Sequence, residues 1–127
     1  MQVQEWRLLG RLLLTAFQCA VQAAVIKRQA NGCTCGNVYY DANDISNAIA
    51  TAQDGGASTY PHQYNDYEGF YFPACSGTFY EYPLESGSVY TGGSPGADRV
   101  IYDDYGDVCA CLTHTGASGN EFVECEF

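Results

Sequence analysis

The sequence predicts an α+β domain: one α-helix packed on a curved antiparallel β-sheet and stapled by disulfides. Three observations carry this expectation. A single stretch places apolar residues at helical spacing. Everything after it breaks into short aromatic and β-branched runs between turn residues. Six cysteines remain once an N-terminal leader is set aside. A chain of 127 residues has room for one small domain. With 16% charged residues and no internal repeat, the composition excludes a coiled coil, a collagen-like chain and an ordinary disordered tail.

Residues 1–24 read as a secretory signal peptide. Arg7 and Arg11 precede the apolar run Leu12-Leu13-Leu14-Thr15-Ala16-Phe17, and small residues follow up to Ala23 and Ala24. The run is far too short to cross a bilayer. Arg11, Gln18 and Gln22 interrupt the apolar face that a buried amphipathic helix would need. Residues 25–28 end in Lys27-Arg28, a dibasic propeptide site that makes Gln29 the first mature residue and 29–127 the domain. The expectation is a secreted, extracellular monomer with no membrane association after the signal is cleaved.

Cleavage changes the charge. It takes the four cations Arg7, Arg11, Lys27 and Arg28 and the one acid Glu5 from totals of 5 and 15, so the net charge of −10 becomes −13. Such a chain has no electrostatic footprint for holding nucleic-acid backbone or an anionic membrane non-specifically. Arg99 is then the single remaining Lys or Arg. It is either a salt-bridge partner, with Asp98 beside it, or the one group kept to hold a phosphate; composition does not choose.

Cys19 leaves with the signal, and Cys33, Cys35, Cys75, Cys109, Cys111 and Cys125 remain. An even count in a small secreted domain reads as three disulfides. Cys33-Thr34-Cys35 and Cys109-Ala110-Cys111 lack the usual C-x-x-C spacing of a metal site, so no metal is expected. A bridge between Cys35 and Cys125 would tie the two ends together, and closing so long a loop contributes about 4 kcal/mol on the chain-entropy argument.

The helix opens at Asp41-Ala-Asn-Asp44, where several side chains can cap it and the early acids suit the positive end of its dipole. Ile45, Ala48, Ile49 and Ala52 form its apolar stripe, and Gly55-Gly56 ends it. From Ser58 onward come strand-like runs such as Phe79-Tyr80-Glu81-Tyr82, Arg99-Val100-Ile101-Tyr102 and Val108 to Thr115. The stripe needs an apolar face to cover, so the helix should lie across the sheet. In the last run, strict alternation puts Cys109, Cys111 and Thr113 on one face and Ala110, Leu112 and His114 on the other.

Two histidines survive cleavage, His62 and His114, both in strand-like surroundings. Glu81 lies mid-strand, where a carboxylate is unusual. A carboxylate, an imidazole and a guanidinium on adjacent strands make an acid–base pair with a phosphate clamp. Each alone also has an ordinary structural explanation: a hydrogen-bonded histidine at a strand end, a glutamate on the solvent side.

Four strings decide between these readings: Tyr60-Pro-His-Gln-Tyr-Asn-Asp-Tyr-Glu-Gly69, Phe79-Tyr-Glu-Tyr-Pro83, Gly92-Gly-Ser-Pro-Gly-Ala-Asp-Arg-Val100 and Thr113-His-Thr-Gly-Ala-Ser-Gly-Asn-Glu-Phe122. Together, across residues 35–125, the chain resembles the small secreted fungal guanyl-specific ribonucleases, the ribonuclease T-one family. The resemblance implies the disulfide-stapled microbial ribonuclease fold and an endoribonuclease cleaving single-stranded RNA after guanosine. Cleavage passes through a 2′,3′-cyclic phosphate to a 3′-phosphate, without metal or cofactor. DNA, which has no 2′-hydroxyl, is not cut.

Residue by residue, the resemblance makes Glu81 the general base on the 2′-hydroxyl and His114 the general acid on the departing 5′-oxygen. His62 assists the base, Tyr60 and Arg99 hold the phosphate oxygens, and Phe122 is the apolar neighbour of the reacting centre. Asp98 is left as a buried structural acid. For the base, Glu68 accepts from N1–H and the N2 amino group, while backbone N–H groups near Asn65 and Asp66 serve O6 and N7. Tyr64 and Tyr67 stack on the base faces, and the backbone carbonyl at Asn120 also contacts the base.

Asp66 and Glu121 depart from the pattern by adding negative charge, which leaves open a preference for purines generally. A secreted RNA-binding protein that has lost turnover is a further alternative, although Glu81, Arg99 and His114 are all retained. The resemblance also implies the bridges Cys35–Cys125, Cys75–Cys109 and Cys33–Cys111, and a cis bond at Tyr60-Pro61.

Overall fold

The computed structural model describes residues 31–127. The expected signal peptide, the expected propeptide and Gln29 lie outside the described residues. Among the described residues no helix is long and apolar enough to cross a membrane.

Helix α1 spans Ala42–Gln53 and begins as its sequence requires. The Asp41 carboxylate accepts from the Asp44 N–H at 2.8 Å, and the Asp44 carboxylate accepts from the Asp41 N–H at 3.1 Å. This reciprocal cap satisfies two otherwise orphaned donors. Ile45, Ala48, Ile49 and Ala52 are buried, as the stripe predicts. After Asp54 the chain turns through Gly55 and Gly56, both at positive φ. A Cβ at Gly56 would come within 2.1 Å of the Tyr60 carbonyl oxygen, so only glycine lets the 57–60 turn close there.

Before the helix, β1 (Cys33–Cys35) and β2 (Val38–Tyr40) pair antiparallel. This hairpin is additional to the strands expected after Ser58. Its signal is the two-residue turn Gly36-Asn37, with Gly36 at φ 59°. The main sheet contains β3 (His62–Tyr64), β4 (Phe79–Glu85), β6 (Asp98–Asp103), β7 (Val108–Thr113) and β8 (Val123–Glu124) in that order. A short β5 (Ser88–Val89) folds back on β4, and every pairing is antiparallel.

The sheet separates two apolar clusters. On the helix side lie Ile45, Ile49, Tyr82, Val100, Tyr102 and Cys111. On the other side lie Tyr64, Phe72, Ile101, Cys109, Ala110 and Leu112, with Phe70, Phe79 and Phe122 packed against them. Cys109 and Cys111 therefore do not share a face, contrary to the alternation read from the sequence. The reason is a bulge: Ile101 pairs with Ala110 but Tyr102 pairs with Val108, leaving Cys109 as an extra residue. The bulge sends Cys109 to one side, where it bridges Cys75, and Cys111 to the other, where it bridges Cys33. With Cys35–Cys125, all three bridges are those that the resemblance implies.

Candidate active site

Register builds the first half of the site. His62 pairs with Glu81 across β3 and β4, so their side chains project from the same face. His62 Nδ1 lies 2.8 Å from Glu81 Oε1. On β6, Arg99 is two residues from Ile101, the partner of Glu81, and so occupies the same face one step along. Its Nε is 3.8 Å from Glu81 Oε2.

Arg99 is only 3% exposed. Nη1 donates to the carbonyls of Gly96 at 2.9 Å, Asp98 at 3.0 Å and Pro95 at 3.3 Å, and Nη2 to the Tyr60 hydroxyl at 3.0 Å. Its Nε–H has no hydrogen-bond acceptor. The Asp98 carboxylate is not its partner. It points to the opposite face and accepts from the hydroxyls of Tyr40 and Thr113, the structural role expected of it.

Glu81, 9% exposed, has its carboxyl pushed above the ordinary range by burial, a shift that the positive charges of His62, Arg99 and His114 oppose. Tyr60 braces this group. Its ring stacks on His62 at 4.3 Å between centroids and packs edge-on against Tyr90 and Tyr82. The Arg99 guanidinium carbon lies 5.1 Å from the same ring centre. The Tyr60–Pro61 bond is cis, as the resemblance implies.

His114 stands just beyond the end of β7, its N–H donating to the Ala97 carbonyl at 2.9 Å. Its Nδ1 is 2.8 Å from the Glu121 carbonyl oxygen. A carbonyl can only accept, so Nδ1 carries the proton and Nε2 is the nitrogen left for a reacting group. The ring stacks on Phe122 at 4.0 Å.

Next to Glu81 opens a groove of about 590 Å³. One wall is Tyr64, Asn65, Tyr67 and Glu68; the other is Asn120, Glu121 and Phe122. Glu68 Oε1 accepts from the Tyr64 hydroxyl and Oε2 from the Phe122 N–H, both at 2.8 Å. Burial works against the Glu68 charge, but these hydrogen bonds and nearby His114 outweigh it and hold the carboxyl below its usual value. The Tyr64 hydroxyl is pushed well up by burial and by Glu68.

Of the two tyrosines expected at the base, Tyr64 is 6% exposed and forms the wall, while Tyr67 is 90% exposed at the rim. Asp66 alone among the expected base contacts does not line the groove. It sits at φ 51°, and its carboxylate accepts from the Phe70 N–H at 2.7 Å and the Tyr64 hydroxyl at 3.3 Å. Its charge is committed to shaping the loop, whereas Glu121, the other departure expected to disturb base choice, lines the groove. Gln63 lines the groove without having been expected there; its neighbours His62 and Tyr64 in the edge strand were the available signal.

The family model for ribonuclease matches residues 28–126. The chain belongs to this family. The ribonuclease is 54% identical over 98 residues to guanyl-specific ribonuclease U1 of Ustilago sphaerogena, covering 73% of this chain and 93% of that protein. It is 44% identical over 119 residues to guanyl-specific ribonuclease F1 of Fusarium fujikuroi, covering 88% and 90%. A solved ribonuclease from Hericium erinaceus is 57% identical with a TM-score of 0.65, covering 76% of this chain and 100% of that one. The ribonuclease thus has the α+β fold and the kinship that its four motifs announce.

Proposed function

We propose that this ribonuclease is a secreted, monomeric guanyl-specific endoribonuclease of single-stranded RNA. Its relatives are named for guanyl specificity. One observation carries the chemistry: a buried carboxylate, Glu81, is held between His62 and the described residues' only guanidinium, Arg99. His114 stands close enough for its charge to act on the same carboxylate.

In the first step Glu81 takes the proton of the ribose 2′-hydroxyl, and O2′ attacks phosphorus. The P–O5′ bond breaks as His114 Nε2 gives its proton to O5′, leaving a 2′,3′-cyclic phosphate. In the second step the roles reverse. His114 takes a proton from water, the new oxygen bonds to phosphorus, and O2′ leaves with the proton held on Glu81. The raised Glu81 carboxyl suits both duties, because a base that is too acidic takes protons poorly. Arg99 and Tyr60 stabilise the charge that builds on the phosphate oxygens. The Arg99 Nε–H, which makes no hydrogen bond, faces Glu81 Oε2 at 3.8 Å.

The groove receives the base. Each Glu68 oxygen has a second lone-pair site, so it can accept from guanine N1–H and N2–H₂ while Tyr64 stays bonded. Adenine offers no such donor pair, and the remaining lone-pair sites of a partly buried carboxylate facing it go unsatisfied. The Asn120 carbonyl and the N–H at Asn65 complete the edge, and Tyr67 at the rim stacks on an exposed face of the base.

The test is cleavage of guanylyl-cytidine, adenylyl-cytidine and deoxyguanylyl-deoxycytidine in the presence of a chelator. Guanylyl-cytidine should give the cyclic phosphate and then the 3′-phosphate, far faster than the adenosine substrate, with the deoxy substrate intact. Equal rates on guanosine and adenosine would replace guanine specificity by purine preference, and cleavage of the deoxy substrate would end the 2′-hydroxyl mechanism.

A further inference from the structure

We infer that Glu68, besides receiving the base, is a positioning residue for His114, acting through the single peptide group between Glu121 and Phe122. The inference rests on the proposed guanyl-specific reaction. Both polar ends of that peptide are occupied. Its N–H donates to Glu68 Oε2 at 2.8 Å, and its C=O accepts from His114 Nδ1 at 2.8 Å. Base-binding carboxylate and general acid are therefore joined by two hydrogen bonds and one rigid plane.

The physical consequence has two parts. A carboxylate accepting from a peptide N–H draws electron density towards the carbonyl oxygen of the same unit, which strengthens its bond to the imidazole N–H. The plane also cannot tilt without moving the Phe122 ring, which stacks on His114 at 4.0 Å. The near end of the relay is fixed: the other Glu68 oxygen is bonded to the Tyr64 hydroxyl at 2.8 Å, on a buried ring rooted in β3.

When guanine donates to the second lone-pair site of each Glu68 oxygen, it fixes the carboxylate in place while the Phe122 N–H stays bonded. Base occupancy is then felt at Nδ1, while Nε2 faces the leaving oxygen. Discrimination between bases accordingly enters kcat and not KM alone.

Two variants and one measurement on the unaltered protein test this. Glu68→Gln keeps an oxygen to accept the Phe122 N–H, whereas Glu68→Ala abandons it. On adenylyl-cytidine, which lacks the donor pair, Glu68→Ala should lose roughly 3- to 10-fold in kcat, the worth of one hydrogen bond, and Glu68→Gln should recover most of it. Wild-type kcat for Glu68→Ala on that substrate would overturn the relay. In the unaltered free protein, the Phe122 amide and His114 Nδ1 NMR signals should move together as Glu68 is protonated, Nδ1 more than Nε2. A silent Nδ1, or equal movement of both nitrogens as direct Coulomb action would give, overturns it independently of whether Glu68→Ala folds. Because the NMR readout needs no substrate, a protein that shows the relay but cleaves guanosine and adenosine substrates alike would keep this inference and lose guanine specificity.

Discussion

Glu81 gathers opposing influences in one side chain. Burial raises its carboxyl above the ordinary range, and three neighbouring positive charges hold it back without cancelling the effect. The folded protein therefore favours protonated Glu81 more than the unfolded chain does. The stability tied to this group is present below the unfolded value and is lost as pH rises through the folded one. At neutral pH the ionised carboxylate is a stability cost, which its proposed role as general base explains. Glu81→Gln should lower kcat/KM on guanylyl-cytidine by about 10²- to 10⁴-fold, the usual share of a general base. The same variant should melt no lower than the wild type at pH 7, with any advantage shrinking towards acid. A lower melting temperature at pH 7 would show that lost pairing to His62 and Arg99 outweighs relief of the buried charge. The acid limb of the wild-type kcat/KM profile should likewise fall above the ordinary carboxylate range.

At the scale of elements, the irregular pieces are the ones held by disulfides. Cys75–Cys109 ties the loop before β4 to the bulge in β7 and closes 34 residues of sequence. Replacing both cysteines by serine should cost about 3–4 kcal/mol on the chain-entropy argument, read as a lower denaturation midpoint in urea. A change below about 1 kcal/mol would mean that packing around Phe72 and Phe79 already restrains the loop without the bridge. Helix α1 was fully legible in the sequence, because cap, stripe and glycine stop all agree within one local window. The β1–β2 hairpin was not, since three-residue strands containing cysteine and threonine carry almost no periodic signal. The bulge was not legible either: one extra residue leaves the run Val108–Thr113 unchanged in composition yet reverses the side on which Cys109 emerges. The proposed catalytic residues were legible as a motif, but their convergence depends on pairings such as His62 with Glu81, which no local pattern encodes. The inward commitment of Asp66 required the loop's backbone geometry to be seen.

Across the whole molecule, charge decides how RNA is captured. Residues 29–127 carry one arginine against 14 acids, and that arginine is buried in the candidate active site. A protein that gains affinity by releasing counterions from n single-stranded phosphates loses binding with a log–log salt slope of about −0.7n. Arg99 supplies at most one such contact, so release contributes a slope no steeper than about −0.7. The acidic surface adds an opposing effect, because it repels RNA at low ionic strength and salt screens that repulsion. The expected outcome is a nearly flat dependence of kcat/KM on salt for long RNA, similar to that for a dinucleotide, since both are held around one nucleotide. Parallel salt series with the two substrates provide the check. A slope steeper than about −2 for long RNA alone would reveal several phosphate contacts beyond Arg99. With no other Lys or Arg among the described residues, these would have to come from the histidines, backbone N–H groups or polar side chains along the groove.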